Sequence, residues 1–333
     1  MTVASLAARL AALALIAAPI TATAADDPAA TFAALRAVDG RMAAIAYRLT
    51  TANAALCRDL APTPGWALHG LGQYDPGLRG AARTAFGFDA PIAIEAVVPG
   101  SVAARAGLHD NLSIVAVDGQ PLAPAAPGNA PATSQARDAA NALVAAQPAD
   151  RPLVVDTLQG GERRRVTVAA SPGCRSAFEV LLGPGMEASA DGRIVQLGVR
   201  FFERYSDDEV AVVVAHELAH NILRHRARLD AAKVNRGLLA EVGRNGRLFR
   251  TTEDQADLLG LHLIRNAGYD PQLAVRFWRE HGGDIDGGVF RSRTHPSSKA
   301  RAQALADEIA RIPANAPLPY LPPVLAERDR PLD

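Results

Sequence analysis

The chain has 333 residues, with 35 Lys and Arg against 35 Asp and Glu, so its formal net charge is zero. It shows no basic stripe, which excludes nucleic acid as an expected partner, and its length allows more than one domain. Residues 1–25 have the plan of a secretory signal: Arg9 is the basic start, 10–20 the apolar core, and Ala22-Thr23-Ala24 the small-residue cleavage site. The apolar run is too short for a confident transmembrane helix. The mature chain is therefore expected to be exported, with no stable membrane span after signal removal and a net charge of about −1. An uncleaved signal would instead leave it membrane-associated. The two cysteines, Cys57 and Cys174, suit a disulfide in an exported chain, with two buried thiols as the alternative.

Residues 26–58 carry Phe32, Leu35, Val38, Met42, Ile45 and Leu49 at helical spacing and predict one amphipathic helix. Residues 59–175 read as a separate β-rich unit. A strand over 92–97 leads into Val98-Pro99-Gly100-Ser101-Val102-Ala103-Ala104-Arg105-Ala106-Gly107-Leu108. A second strand ends in the hairpin turn Asp118-Gly119. A helix over 135–146 and strands over 153–158 and 165–168, joined through Gly160-Gly161, complete the unit. These motifs resemble the core of a bacterial PDZ domain, although Asp110-Asn111 stands where many relatives have Gly-Asp. The resemblance implies a module that adds an extended peptide to a sheet edge. Its groove would lie between the strand at 92–97 and the helix at 135–146, with Phe86-Gly87-Phe88 as the peptide-binding loop. Cys57 and Cys174 flank this unit, and a bridge between them would clamp its ends and contribute about 4–5 kcal/mol through loop closure.

Residues 176–312 begin with strands over 177–182 and 193–197. Ser206-Asp207-Asp208-Glu209 then forms a capping box, with acids against the positive end of the helix that follows. Val210, Val212, Val213 and Val214 make its first turns apolar nearly all round, as in a buried helix. That helix carries His216-Glu217-Leu218-Ala219-His220. Histidines four residues apart share one helix face, separated by roughly 6 Å along the axis, and both can reach one zinc ion. Glu217 projects beside them, where it can act as a general base toward water. A third ligand is needed. His225 is the nearest candidate, but Leu223 and Arg226 break the long three-histidine pattern, and His225 reads better as a helix-end residue. Glu253 and Asp257 lie four apart on a second helix that Thr251 or Thr252 can cap. One carboxylate can bind zinc while the other orients a histidine, the alternative being a solvated acidic first turn.

The three ordered motifs His216-Glu217-Leu218-Ala219-His220, Glu253-Asp254-Gln255-Ala256-Asp257 and Thr294-His295-Pro296-Ser297-Ser298-Lys299-Ala300-Arg301 resemble the CAAX-prenyl-protease-like gluzincins of the HtpX and BepA type. The resemblance covers about residues 178–311. It implies one zinc per chain held by His216, His220 and Glu253, with Glu217 as general base. It implies that Asp257 orients a ligand histidine, that His295 stabilises the oxyanion, and that Arg301 holds the site from behind. It also implies that the segment at 187–190 forms a sheet edge for extended substrates, although Glu187 stands where relatives carry Asn.

The expected fold is α+β: a mainly helical zincin-type peptidase domain with a small edge sheet, a β-rich PDZ-like domain inserted before it, and a Pro-rich tail over 313–333. The expected function is that of a periplasmic zinc metalloendopeptidase in protein quality control, acting on unfolded or misassembled envelope proteins and on exposed C-termini. The alternative is a peptide-binding or chaperone-like module whose zinc site His295 caps into silence.

Overall fold

The computed structural model describes residues 28–124, 127–234, 243–285 and 297–332. The expected signal over 1–25 and the candidate His295 lie outside the described residues. The long helix Pro28–Ala52 buries Met42, Ile45 and Leu49 in the core of the C-terminal half, so it belongs structurally to that half of the chain. Its first turns carry Phe32 into a different cluster, with Phe86 and Phe88 of the inserted unit.

The insertion enters and leaves through a short antiparallel ribbon, Leu60–Pro62 against Pro172–Cys174. Cys57 and Cys174 are disulfide-bonded beside it, with Cα atoms 5.4 Å apart, well inside the range a bridge can span. The bond joins positions 117 residues apart in sequence and so restrains both ends of the insertion.

Between these ends lies an antiparallel sheet in the order Trp66–Gly70, Ile92–Val97, Ser113–Val117, Leu153–Gln159, Glu162–Val168, with Gln120–Pro121 added to the third strand. The turn at Asp118-Gly119 has positive φ at both residues, as a two-residue hairpin of this type requires. The helix Gln135–Ala145 packs Ala140 and Val144 against Leu68, Ile92, Ile94 and Val155.

Here the structure corrects the expected peptide groove. The strand at Ile92–Val97 is interior, paired on both sides, and the edge is Trp66–Gly70. Phe86 and Phe88 are not a binding loop. Both are buried among Phe32, His69 and Tyr74, and Gly87 ends the helix Arg79–Phe86 in the left-handed conformation at φ +58°. Apolar rings on either side of a C-capping glycine are drawn into the core, where their area leaves water.

The C-terminal half holds a three-stranded sheet in the order Ala188–Ala190, Ile194–Gly198, Ala177–Leu181, so Ala188–Ala190 is an edge strand. Beneath it lie the helices Val199–Arg204, Asp207–Ile222, His225–Ala231, Gly243–Asn266, Gln272–Glu280 and Ser298–Arg311. Thr251 and Thr252 do not cap a helix at Glu253. The helix starts at Gly243, and both hydroxyls bond back to carbonyls of the preceding turn, Arg247 O and Phe249 O. The tail packs on this core: Leu325 is buried, and Pro323–Asp329 forms a 3-10 helix rather than a wholly extended strap.

Where the N-terminal helix meets the inserted sheet, Asp39 and Glu95 hydrogen-bond to each other. Burial, then the like charge of Asp39, pushes Glu95 from its ordinary 4.5 up to about 8, against the opposing Arg36 and Arg137. Burial likewise pushes Asp39 up to about 6. Arg137 is itself bonded to Glu179 of the three-stranded sheet at 2.9 Å, so the cluster sits at the junction of both halves. A carboxyl raised in the folded state binds more protons folded than unfolded, so stability falls as pH rises from about 4.5 to about 8. Glu95→Gln should therefore raise the melting temperature above about pH 8 and change it little below about pH 4.5, in thermal melts across that range.

Candidate metal centre

The helix Asp207–Ile222 is built as its sequence dictates. The Ser206 side chain accepts from Glu209 N–H, and Glu209 accepts from Ser206 N–H at 2.8 Å. Residues Val210 to Ala219 are buried without a break, which places His216 and Glu217 in the protein interior. The helix Gly243–Asn266 crosses it closely. A Cβ on Gly260 would lie 3.2 Å from the backbone N and Cα of His216, tighter than an ordinary contact, so glycine suits this approach.

That crossing sets Glu253 and Asp257 against the two histidines. His216 Nε2 lies 3.2 Å from His220 Nε2 and 3.2 Å from Glu253 Oε2, and His220 Nε2 lies 3.6 Å from Glu253 Oε1. Zinc bonds of about 2.0–2.1 Å in tetrahedral geometry separate ligand atoms by about 3.3–3.4 Å. These separations lie near that spacing, with a different Glu253 oxygen nearest each histidine, and one donor atom of each residue lies within 4.8 Å of the others. Glu253 is buried in the middle of its helix, which removes the solvated acidic first turn as a reading.

The charge around these donors also fits a divalent cation. Among the described residues here, the three buried carboxylates of Glu217, Glu253 and Asp257 outnumber the two buried guanidiniums, those of Arg301 and Arg228. Arg301 Nε donates to Asp257 Oδ2 at 2.7 Å and its Nη2 to Oδ1, and its guanidinium lies 3.3 Å over the Trp278 ring. Asp257 Oδ1 in turn lies 2.9 Å from His216 Nδ1. Burial opposes charge on both groups, but Arg301 and His216 draw Asp257 down to about 2. Hydrogen bonds that His216 donates to Asp257 and Glu253 overcome burial and push its pKa up to about 10. The site therefore favours positive charge at His216 Nε2, where a metal ion would replace the proton.

His225 is not aimed at this centre as a ligand. Arg224 adopts the left-handed conformation at φ +55°, which ends one helix and starts the next at His225. His225 is buried, with Nδ1 2.9 Å from His220 Nδ1, the nitrogen on the far side of that ring from the metal position. Its Nε2 lies 3.1 Å from Gln255 Oε1. Burial, then the neighbouring His220 and Arg228, lowers its pKa to about 2, so it is neutral. Sequence reasoning left Gln255 and Arg228 out of the site altogether. The structure brings together His216, His220, Glu217, Glu253, Asp257 and Arg301 and leaves Phe86, Gly87 and Phe88 in the other half of the molecule.

Gly260→Ala should force the two helices apart, because the opposing atoms are backbone and cannot turn aside. The expected outcome is a lower melting temperature together with weaker metal retention during dialysis, both read against the wild type.

Residues 238–309 match the family model Peptidase family M48. The mitochondrial metalloendopeptidase OMA1 of Arabidopsis thaliana is 34% identical over 120 residues, covering 30% of this chain and 24% of that protein. OMA1 of Schizosaccharomyces pombe is 32% identical over 120 residues, covering 30% of this chain and 36% of that protein. The aligned stretch thus spans only a quarter to about a third of these relatives. The HtrA3 PDZ domain bound to a phage-derived ligand is similar at 20% identity and a TM-score of 0.24, over 34% of this chain and 88% of that domain. The matched stretch holds Glu253, Asp257 and Arg301, so this part of the chain is similar to the metallopeptidases of family M48.

Proposed function

We propose that this protein is an exported zinc-dependent endopeptidase that hydrolyses extended segments of unfolded or misassembled envelope proteins. The observation that carries the reading is the convergence of His216, His220 and Glu253 at near-tetrahedral spacing, with Glu217 buried next to His216. His216, His220 and Glu253 would hold the zinc. Bound there, zinc supplies a Lewis acid that polarises the scissile carbonyl and makes the attacking water more acidic.

The remaining chemistry belongs to the side chains. Glu217 takes a proton from the attacking water and delivers it to the leaving amine. His295, by its place in the third motif, donates to the developing oxyanion. Asp257 and Arg301 hold the His216 ring so that Nε2 faces the centre. The edge strand Ala188–Ala190 packs beside the metal-binding helix and offers an unpaired side on which a substrate can lie extended.

The disulfide supports an oxidising compartment, and among the described residues no helix is long and apolar enough to cross a membrane. The PDZ-like insertion is the proposed capture module. Its available edge is Trp66–Gly70 beside the helix Gln135–Ala145, where a substrate terminus could add as a further strand.

Glu217→Gln keeps the side chain's shape and removes the base. It should retain zinc and lower casein hydrolysis by about 10²–10⁴-fold. Cleavage at the wild-type rate would show that the base lies elsewhere. Stoichiometric zinc in a wild-type chain that leaves casein intact would favour the capped, silent site.

A further inference from the structure

Each of the two histidines that face the metal position must present Nε2 with its lone pair free. For His216 the reason is already on the page: Arg301 can only donate, Asp257 accepts from it, and Asp257 then takes the proton on His216 Nδ1. At His220 Nδ1 the neighbour is of another kind, His225.

The protons along that side can be assigned by elimination. Arg228 Nη1 lies 2.9 Å from Gln255 Oε1, and a guanidinium has no acceptor, so the Gln255 atom is an oxygen. His225 Nε2 lies 3.1 Å from the same oxygen and must carry a hydrogen to bond it. A neutral imidazole protonated at Nε2 has its lone pair at Nδ1. His225 Nδ1 therefore accepts, and the atom 2.9 Å away, His220 Nδ1, must donate. A neutral His220 with its hydrogen on Nδ1 has a free lone pair at Nε2, the atom that faces His216 and Glu253. Arg228 is itself buried and anchored, with Nε donating to Arg330 O at 3.0 Å.

We propose that His225, Gln255 and Arg228 are positioning residues that hold His220 in the tautomer and ring orientation needed to bind the metal. The line Arg228–Gln255–His225–His220 does for one ligand what Arg301–Asp257–His216 does for the other. An arginine begins each line, and each line ends on an imidazole lone pair at the centre. This rests on the metallopeptidase reading, since the tautomer matters only if His220 binds metal.

The test measures zinc affinity by chelator competition, the visible spectrum of the cobalt-substituted protein, and the melting temperature of the metal-free chain. His225→Ala removes the acceptor and should weaken zinc by about 10–100-fold. His225→Asn places an amide oxygen near the lost Nδ1 and should restore most of that affinity. Gln255→Leu, at a half-buried position, keeps the bulk and removes the oxygen. It should weaken zinc in the same direction and shift the cobalt spectrum. Should His225→Ala fail to fold, Gln255→Leu against wild type carries the same comparison. Wild-type affinity and spectrum in Gln255→Leu and His225→Ala, with only a lowered melting temperature, would make these residues structural and overturn the proposal. Equal loss in His225→Ala and His225→Asn would overturn the acceptor role. A wild-type chain that takes up neither zinc nor cobalt would overturn the metallopeptidase reading itself, a result distinct from either.

Discussion

The close crossing of two helices at Gly260 and His216 is the constraint on which the centre depends. Helix axes usually pack 8–10 Å apart, and side chains at the contact set the distance. Here one partner offers no side chain, and the backbone of His216 meets the backbone of Gly260. The short separation lets Glu253 and Asp257, about two turns and one turn before Gly260, reach the imidazoles of the other helix. A bulkier residue would cost more than packing, because carboxylate and imidazole positions tolerate little displacement around a metal.

Burial gives the electrostatics their strength. His216, Glu217, Glu253, Asp257 and Arg301 are all less than a tenth exposed. In such surroundings an unpaired charge is costly, so each group must be matched by another or by an ion. The Arg301–Asp257 pair is satisfied within the protein, and Trp278 covers the outer face of the guanidinium. Glu253 and the two Nε2 atoms instead converge on one another, where a bound cation would replace the proton shared by His216 and Glu253.

Among the described residues, the insertion is joined to the rest of the chain through several contacts outside the metal centre. Its core is separate, while the disulfide, the ribbon at Leu60–Pro62 and the Arg137–Glu179 pair bind it to the peptidase sheet. Glu179 also accepts from Gln196 at 2.7 Å, so the same carboxylate ties the insertion to the strand next to the edge strand Ala188–Ala190. The buried Asp39–Glu95 pair, with both carboxyls pushed up by burial, lies at this junction.

The local features were legible in the sequence because they obey short periods. The four-residue step from His216 to His220, the four-residue step from Glu253 to Asp257, the capping box at Ser206 and the turn at Asp118-Gly119 are all statements about neighbours along the chain. What those periods cannot encode is where a chain reversal sends a side chain. Five residues beyond His220, a continuous helix would turn His225 roughly 140° away from it. The left-handed residue Arg224 breaks the helix and brings His225 back to the His220 ring. Phe86-Gly87-Phe88 shows the opposite failure: its residue types suit a binding loop, yet both rings are buried because the N-terminal helix brings Phe32 against them. Likewise the sheet edge is Trp66–Gly70 and not Ile92–Val97, because pairing order depends on which distant strands meet. Residue type and spacing determined the chemistry this chain can hold; the helix crossing and the strand order, which depend on contacts far apart in sequence, decided where it is held.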